Sequence, residues 1–316
     1  MQADACGDES DAGPRRPSVA VVVPGRNDAH LIGEQLEALA PQVEALGGEI
    51  VVVDDASVDG SGNVAAAWAA ARPEVACTVL ASSQRRFGNA SRNAGVLASS
   101  APVLAFADGD DLVADGWLAA LTGAVAPGVI ATGRALDPRS GSVNPPPGFY
   151  GIDLATVFGG SMAFERTLFD AVGGFDERIE DGGTETEWAF AAQMLHGARV
   201  VVVPDAAIRY HQPLDRADQR RRSVRQQRGH AVIARRLAAG GIRIAAFTVP
   251  GALRSLGAAA VRTVAGGGRG RAAEVDRMVV ALAALGWSAR MAVVTPEPLR
   301  ADPGRSAAHY TVRHPR

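Results

Sequence analysis

The chain has 316 residues, of which 47% are hydrophobic and 21% charged, and its formal net charge is −2. This composition predicts a soluble globular protein and argues against whole-molecule attraction to nucleic acid. Two cysteines, Cys6 and Cys77, are too few for a disulfide framework or a cysteine metal site, and no apolar stretch reaches the roughly 20 residues of a membrane-spanning helix. We therefore expect a cytoplasmic protein.

The first 16 residues are acidic and polar and lack the basic start and apolar core of a signal peptide, so we expect a disordered tail. Beyond them, runs of β-branched residues alternate with longer Ala-rich and Leu-rich stretches, a pattern typical of strands and helices in a parallel α/β sheet. The predicted strands are residues 18–24, 49–57, 76–82 and 102–108, and the predicted helices are 29–46, 58–73 and a third from about Asn89.

The pattern changes after Trp117. A strand is predicted at Val129–Ala135, a Pro/Gly-rich loop at residues 137–151, a helix from Arg166 to a glycine stop at Gly173, a helix over 184–197, and one or two strands before residue 213. From Asp215 the chain is helical and rich in Arg. We accordingly divide it into a tail (1–16), a main domain (17–215, with halves 17–116 and 117–215), a helical extension (216–295) and a loose tail (296–316).

Three predicted strands end in polar clusters. The first cluster is Pro24, Arg26, Asn27 and Asp28, the second is Asp54 and Asp55, and the third is Asp108, Asp110 and Asp111. Asp and Asn also favour turns and helix N-termini, so each cluster alone has a structural explanation. Because parallel sheets bind ligands at the carboxyl ends of their strands, three clusters at one edge favour a binding site.

The third cluster, in "VLAFADGDDLVADGW", brings like charges together at the end of a buried strand. Asp-x-Asp suits a hard divalent cation with oxygen ligands, which leaves coordination positions for phosphate oxygens. We therefore expect Mg²⁺ or Mn²⁺ bound together with a diphosphate at this turn.

Three other function classes fit poorly. The first strand is followed by a single glycine, in "VVVPGRND", where a dinucleotide fold has G-x-G-x-x-G. The chain has neither a G-x-x-x-x-G-K motif nor any Lys, which argues against a P-loop ATPase. An aspartyl-phosphate phosphatase would be expected to carry its acidic pair after the first strand rather than the fourth.

The ordered set of motifs resembles glycosyltransferase family 2, the inverting enzymes of the GT-A fold. The matching segments are "VVVPGRND", "IVVVDDASVDGS", "GNASRNAGVLAS", "VLAFADGDDLVADGWL", "GGSMAFERTLFDAVGGFDERI" and "TETEWAFAAQMLHGARVVVVPDAAIRYH", and the likeness runs from about Pro17 to His230. It implies an open, mostly parallel sheet flanked by helices, a nucleotide-sugar donor and a hydroxyl acceptor in a glycan, glycolipid or cell-envelope precursor.

The resemblance also implies roles for individual residues. Donor contacts would come from Pro24, Arg26, Asn27, Asp54, Asp55, Arg92, Asp108 and Gly109. The metal would be held by Asp108 and Asp110, with His211 as a further ligand and Asp111 supporting the turn. Gln226, Gln227 and Arg228 match a Gln-x-x-Arg-Trp element only loosely, since the Trp is absent.

Inversion requires a general base for the acceptor hydroxyl. The family's Glu-Asp pair aligns with Thr184 and Glu185, so Glu185 is the first candidate and Asp181, which follows Glu180, is the second. The family's Arg falls on Ala191, a second departure. A first-turn acid stabilised by the helix dipole is the structural alternative for Glu185 and Glu187. Trp117 and Trp188 are expected in the core.

The departures at Thr184 and Ala191 leave open a scaffold protein that has lost turnover, and a nucleotidyltransferase is a weaker alternative. Between Asp215 and Arg271, thirteen Arg face only two acidic residues. Such a stretch fits peripheral contact with the inner, anionic membrane surface, where lipid-linked acceptors would be found, or a solvated bundle whose Arg contact donor phosphates.

Overall fold

The computed structural model describes residues 16–137, 141–142, 152–180, 184–211, 215–239, 242, 249–265, 268–292 and 310–313. The predicted tail over residues 1–16 therefore lies almost entirely outside the described residues. The strands are β1 (Val19–Gly25), β2 (Glu49–Asp54), β3 (Cys77–Ser82), β4 (Val103–Phe106), β5 (Leu112–Val113), β6 (Val129–Asp137), β7 (Gly141–Ser142), β8 (Met162–Glu165), β9 (Arg199–Arg209) and β10 (Tyr310–Val312). The helices are α1 (Ile32–Leu46), α2 (Ser61–Ala71), α3 (Phe87–Leu97), α4 (Trp117–Gly123), α5 (Arg166–Val172), α6 (Thr184–His196), α7 (Arg216–Ala239), α8 (Val249–Ala265) and α9 (Gly268–Ala292).

One mixed sheet carries the fold, in the order β10-β3-β2-β1-β4-β8-β6-β9-β5, with β7 beside β6. Strands β1 to β4 pair in parallel, and β1 is buried over its first six residues because helices cover both faces of the sheet. The pairing of Gly25 with Asp54 brings the carboxyl ends of β1 and β2 side by side. The predicted α/β architecture is confirmed, with β1 to β4 forming the parallel half of the sheet.

The second half of the sheet mixes directions. Strand β8 is antiparallel to both β4 and β6, whereas β6 and β9 run parallel. Helices α5 and α6 match the helices predicted from Arg166 and from Thr184, and β9 is one long strand. This arrangement places the start of α6 and the end of β9 near the end of β4.

A loose tail was predicted over residues 296–316, and this prediction is wrong for residues 310–313, the part of it that the structure describes. Strand β10 pairs antiparallel with the edge strand β3, whose outer backbone groups would otherwise lack partners. The Tyr310 hydroxyl lies 3.2 Å from Ser91 Oγ, and Arg313 Nη1 lies 3.2 Å from Asp54 Oδ2. A three-residue strand has too little periodicity to be read from the sequence, so only tertiary pairing reveals it.

Helix α7 is tied to the main domain by a buried ionic cluster. Arg236 donates to Glu187 Oε1 at 2.7 Å and to Asp176 Oδ2 at 2.6 Å, and all three residues are buried. Burial alone would raise the pKa of Asp176, but hydrogen bonds from Arg178 and the charge of Arg236 bring it down to about 2. Glu187 is thus a partner of α7 rather than a solvent-facing acid of the helix N-terminus.

Replacement of Arg236 by Met should lower the free energy of unfolding by about 3–5 kcal/mol, because it leaves the buried Glu187 without its ion-pair partner and removes one of the two cations that contact Asp176. Urea denaturation measures the change. The matched control is Arg221→Met, since Arg221 is exposed and pairs only with acids near its own end of α7; its effect should stay within about 1 kcal/mol. Equal losses in the two variants would contradict a stabilising role for the cluster.

Within the described part of the chain, every helix is too short or too polar to cross a bilayer.

Candidate functional site: an acidic turn between two pockets

The turn after β4, which we call the acidic turn (residues 108–111), is fixed by backbone hydrogen bonds. Gly109 N donates to Pro24 O at 3.1 Å, and Asp111 N donates to Asp108 O at 3.3 Å. The side chains of Asp108, Asp110 and Asp111 converge, with one carboxylate oxygen of each lying within 4.8 Å of the others. Among the described residues this is the group of acids and histidines suited to a metal ion, and the predicted pair Asp108 and Asp110 belongs to it.

The acidic turn is also held by Gln35, a residue that the sequence did not single out. Gln35 of α1 is fully buried; its Nε2 donates to Asp108 O at 3.1 Å and its Oε1 accepts from Val113 N at 3.0 Å. One side chain therefore secures the chain on both sides of the three carboxylates. The available signal was a polar residue within the apolar face formed by Ile32, Leu36 and Leu39.

The electrostatics of the turn favour a bound cation. Burial raises the pKa of Asp111 to about 9, and the charges of Asp110 and Asp108 act in the same direction. Burial also raises the pKa of Asp108 to about 6, although Arg92 opposes the shift. Asp111 Oδ2 is buried and has no hydrogen-bond partner in the described part of the chain. Three convergent oxygen donors, one of them without a partner, fit a hard divalent ion.

His211 lies beside this group without belonging to it. Its backbone N–H donates to Asp111 Oδ1 at 2.9 Å, which links the end of β9 to the turn. Its ring packs edge-on against His30, with centroids 6.2 Å apart. The three-acid group does not include His211, so the residue stays a proposed ligand.

The first of two pockets, here the strand-end pocket, has a volume of about 210 Å³ and is formed at the ends of β1, β2 and β4. It brings together most of the residues predicted to hold the donor: Pro24, Arg26, Asp55, Arg92 and Asp108. It also includes Asp28, whose pKa is raised to about 7 by burial and by Asp110.

Three of the predicted donor residues, Asn27, Asp54 and Gly109, do not line the strand-end pocket. Asn27 adopts φ = 61° and accepts from Val58 N at 3.0 Å, which joins the turns after β1 and β2. Asp54 accepts from Ser57 N at 3.0 Å and from Arg313 on its other oxygen. These contacts are structural, since short acceptors often fix turns in this way.

Asp55 has a double role in the geometry. Its two oxygens accept from Arg86 N at 2.6 Å and Phe87 N at 2.8 Å, and this fixes the chain entering α3. Phe87 has φ = 69°, an unfavourable angle for a side chain of that size, which these hydrogen bonds help to hold. Asp55 therefore shapes the pocket as well as lining it.

The second pocket, here the helix-side pocket, has a volume of about 250 Å³ and lies between the acidic turn, α6 and α7. Glu185 lines it, and so do Arg222, Arg225 and Gln226 of α7. Both pockets share Asp108 and Arg92, whose Nη2 donates to Asp108 Oδ1 at 3.0 Å. The acidic turn thus stands at the junction of the two pockets.

Glu185 is half-buried at the start of α6, where its Oε2 accepts from Thr184 Oγ1 at 2.6 Å. It lies near enough to Asp108 for its charge to help raise the pKa of that residue. Thr184, at the position where the family has a carboxylate, thus orients the neighbouring acid. Asp181, the second candidate base, lies outside the described residues.

Arg222 is the residue of the helix-side pocket that is least visible in the sequence. Its guanidinium lies 5.6 Å from the centre of the Tyr210 ring and faces the carboxylates of Asp110, Asp108 and Asp111. Nothing in the sequence separates it from the other Arg of the extension, because only the placement of α7 selects it. Of the loose Gln-Gln-Arg likeness, Gln226 reaches the pocket, whereas Arg228 pairs with Glu180.

Two consecutive glycines, Gly159 and Gly160, line the helix-side pocket where it approaches the acidic turn. A Cβ on Gly160 would lie 2.8 Å from Asp108 Oδ2 and 3.1 Å from Asp111 Oδ2. A Cβ on Gly159 would lie 3.0 Å from Arg92 Nη2 and from Glu185. The pair "GG" before β8 was a readable signal of close backbone approach.

Replacement of Gly160 by Ala should displace the carboxylates of the acidic turn and weaken Mn²⁺-dependent stabilisation by nucleoside diphosphates at least about tenfold, as a loss of about 1.4 kcal/mol would do. A titration of thermal midpoint against Mn²⁺ measures the effect. Gly123→Ala is the control, because a Cβ there meets nothing within 4 Å. Wild-type metal dependence in the Gly160 variant would contradict the close approach.

The two tryptophans predicted in the core are there. Trp117 and Trp188 are both fully buried, and Trp117 Nε1 donates to Ser161 Oγ at 2.8 Å. Trp188 stacks on Phe164 with ring centroids 4.2 Å apart.

Comparison with known proteins supports the assignment made from the motifs. Residues 20–143 match the model of "Glycosyl transferase family 2". Glycosyltransferase AglE of Haloferax volcanii is 33% identical over 103 residues, which cover 32% of this chain and 33% of that protein. The match thus spans about a third of the length of the curated relative.

Solved structures share the fold. The mannosyltransferase PcManGT from Pyrobaculum calidifontis, in complex with GDP-Man and Mn²⁺, aligns with a TM-score of 0.59 at 24% identity, covering 88% of this chain and 85% of that one. S. aureus TarS 1-349, in complex with UDP-GlcNAc, aligns with a TM-score of 0.51 at 18% identity, covering 69% and 66%. The match to glycosyltransferase family 2 covers residues 20–143, less than half of the chain, and the likeness to solved structures shows that the chain has the GT-A fold.

Proposed function

We propose that this chain transfers a single sugar from a nucleotide diphosphate donor to a hydroxyl acceptor, with inversion at the anomeric carbon and with help from a divalent metal. The observation that carries the proposal is the convergence of three carboxylates at the junction of two pockets. The strand-end pocket would take the nucleoside, and the helix-side pocket would take the sugar and the acceptor.

Asp108 and Asp110 would hold Mg²⁺ or Mn²⁺, with His211 as a further ligand and Asp111 completing the set of oxygens. Such an ion, when bound, supplies neutralisation of the charge that develops on a departing nucleoside diphosphate. Arg92 and Arg222 flank the same turn from α3 and α7, where their guanidinium groups are suited to phosphate oxygens. The chain therefore offers cationic groups on two sides of the proposed diphosphate position.

Glu185 is the proposed general base. It lies in the helix-side pocket, and the hydrogen bond from Thr184 orients its carboxylate. A base there removes the acceptor hydroxyl proton as the oxygen attacks, while Asp55, Pro24 and Arg26 hold the donor in the neighbouring pocket. This division of labour supports the proposed halves 17–116 for the donor and 117–215 for the acceptor, although α7 of the extension contributes Arg222 and Arg225.

A thermal-shift screen of GDP, UDP and dTDP, each with and without Mn²⁺, tests donor binding first. GDP and UDP are the leading probes, since structures similar to this chain hold GDP-Man and UDP-GlcNAc. We expect stabilisation by one nucleotide that depends on Mn²⁺. Transfer or hydrolysis of the labelled sugar from the corresponding donor, with the product anomer read by NMR, then tests turnover and inversion.

The outcomes separate the alternatives. Metal-dependent binding with no turnover on any acceptor would identify a nucleotide-binding scaffold, and release of pyrophosphate from a triphosphate would identify a nucleotidyltransferase. Product with retained configuration would overturn the assignment of a single base. We further propose a cytoplasmic protein that can contact the inner face of the membrane, where a lipid-linked or glycan acceptor would be met.

A further inference from the structure

The helical hairpin formed by α8 and α9 exposes apolar side chains that nothing in the described part of the chain covers. Five of the eleven large apolar residues exposed among the described residues lie on these two helices: Leu253, Val261, Val275, Val279 and Leu282. On α8 the residues Leu253, Gly257 and Val261 recur every four positions, so they form one stripe.

The stripe on α9 points away from the rest of the extension. Val280 and Ala284 line a cavity of about 990 Å³ between α7, α8 and α9. At 100° per residue, Val275, Val279 and Leu282 lie on the opposite side of α9 from that pair. Ala252 and Ser255 of α8 line the same cavity, whereas Leu253 lies on a side of α8 that faces away from it. We call the two exposed stripes together the hairpin outer face.

The charge around the hairpin outer face is positive. Residues 249–292 contain six Arg and two acidic residues. Both acids are turned inward: Glu274 is 3.1 Å from Arg262, and Asp276 is 2.5 Å from Arg216. Arg254 and Arg290 are exposed, and α8 contains no acidic residue. The surface therefore combines apolar stripes with exposed cations.

We propose that the hairpin outer face docks on an anionic lipid bilayer, with α8 and α9 lying in the plane of its surface. Leucine and valine stripes would enter the headgroup boundary, and the Arg side chains would meet anionic headgroups. A second copy of this chain is a poorer occupant, because two such faces would bring like charges together. The proposal concerns residues that line neither of the two pockets, and it does not depend on the transfer activity.

Co-sedimentation of the full chain with vesicles tests it. We expect binding to equal parts of phosphatidylcholine and phosphatidylglycerol, little binding to phosphatidylcholine alone, and weaker binding at higher salt. Leu253→Gln combined with Leu282→Gln should reduce the partition coefficient about tenfold, since each side chain loses its apolar contact. Arg254→Gln should reduce it about fivefold.

The matched control is Leu97→Gln combined with Leu195→Gln. The exposed fractions of Leu97 and Leu195 are 46% and 51%, compared with 51% and 53% for Leu253 and Leu282. The control leucines lie on α3 and α6. The control should bind vesicles like the wild type, and thermal midpoints should confirm that all variants are folded. Binding equal in both leucine pairs, or no binding to anionic vesicles, would overturn the proposal. Concentration-dependent dimerisation lost only in the hairpin variant would assign the face to a second copy instead.

Discussion

Replacing Asp110 by Asn should lower the rate of the proposed transfer about 10²–10⁴-fold, because the acidic turn loses one of its proposed metal ligands and the leaving diphosphate loses several kcal/mol of stabilisation. The loss of Mn²⁺-dependent thermal stabilisation by the best nucleotide should accompany it. Without metal, the same variant should be at least as stable as the wild type, since the charge of Asp110 no longer opposes ionisation of Asp108 and Asp111. A metal titration with activity and thermal midpoint as readouts measures both effects.

Asp115→Asn is the matched control for this variant. Asp115 is an exposed acid five residues beyond Asp110 and outside the three-acid group, so its loss should leave metal dependence unchanged. If Asp110→Asn retained full stabilisation by nucleotide and Mn²⁺, the assignment of the metal to the acidic turn would be wrong. Comparison of the metal-free stabilities of the Asp110→Asn variant and the wild type then tests whether the carboxylates of the acidic turn repel one another.

Replacing Glu185 by Gln should lower the rate of transfer by about 10²–10⁴-fold while leaving the affinity for nucleotide and Mn²⁺ nearly unchanged. The amide keeps the size of the side chain and its contact with Thr184 but cannot accept the acceptor proton. Single-turnover kinetics with a saturating donor separates the chemical step from donor binding. Glu185→Asp should keep part of the activity, because the carboxylate remains but is withdrawn by about one methylene.

Asp181→Asn is the decisive comparison. If Glu185→Gln were active and Asp181→Asn inactive, Asp181 rather than Glu185 would be the general base. Glu44→Gln, at an exposed position of α1, serves as the control for the loss of a single carboxylate.

The residues at the strand ends could be predicted from the sequence because buried strands have a strong local hydrophobic pattern. The apolar runs at Val19–Gly25 and Glu49–Asp54 end where polar residues begin, and parallel pairing necessarily brings such ends to one edge. The acidic turn could be found for the same reason. Its chemistry follows from residue type and from position at the end of a strand.

The contacts that shape the site were not readable in this way. Gln35 secures the acidic turn across 73 residues of sequence, and Arg313 reaches Asp54 across 259. Arg222 is one of many Arg in the extension, and only the buried cluster of Arg236, Glu187 and Asp176 fixes the helix that presents it. No local pattern encodes which distant side chains will meet, since that depends on how the helices pack.

The sequence by itself determined the parallel half of the sheet, the resemblance to glycosyltransferase family 2 and the acidic turn, because hydrophobic periodicity and residue chemistry act over short stretches of chain. Only the tertiary structure decided which predicted residues face a pocket and which, such as Asn27 and Asp54, hold turns together. It also decided that α7 forms part of the site and that β10 closes the sheet edge. These features arise from pairing and packing between segments distant in sequence, where the free energy of burial and ion pairing selects one arrangement.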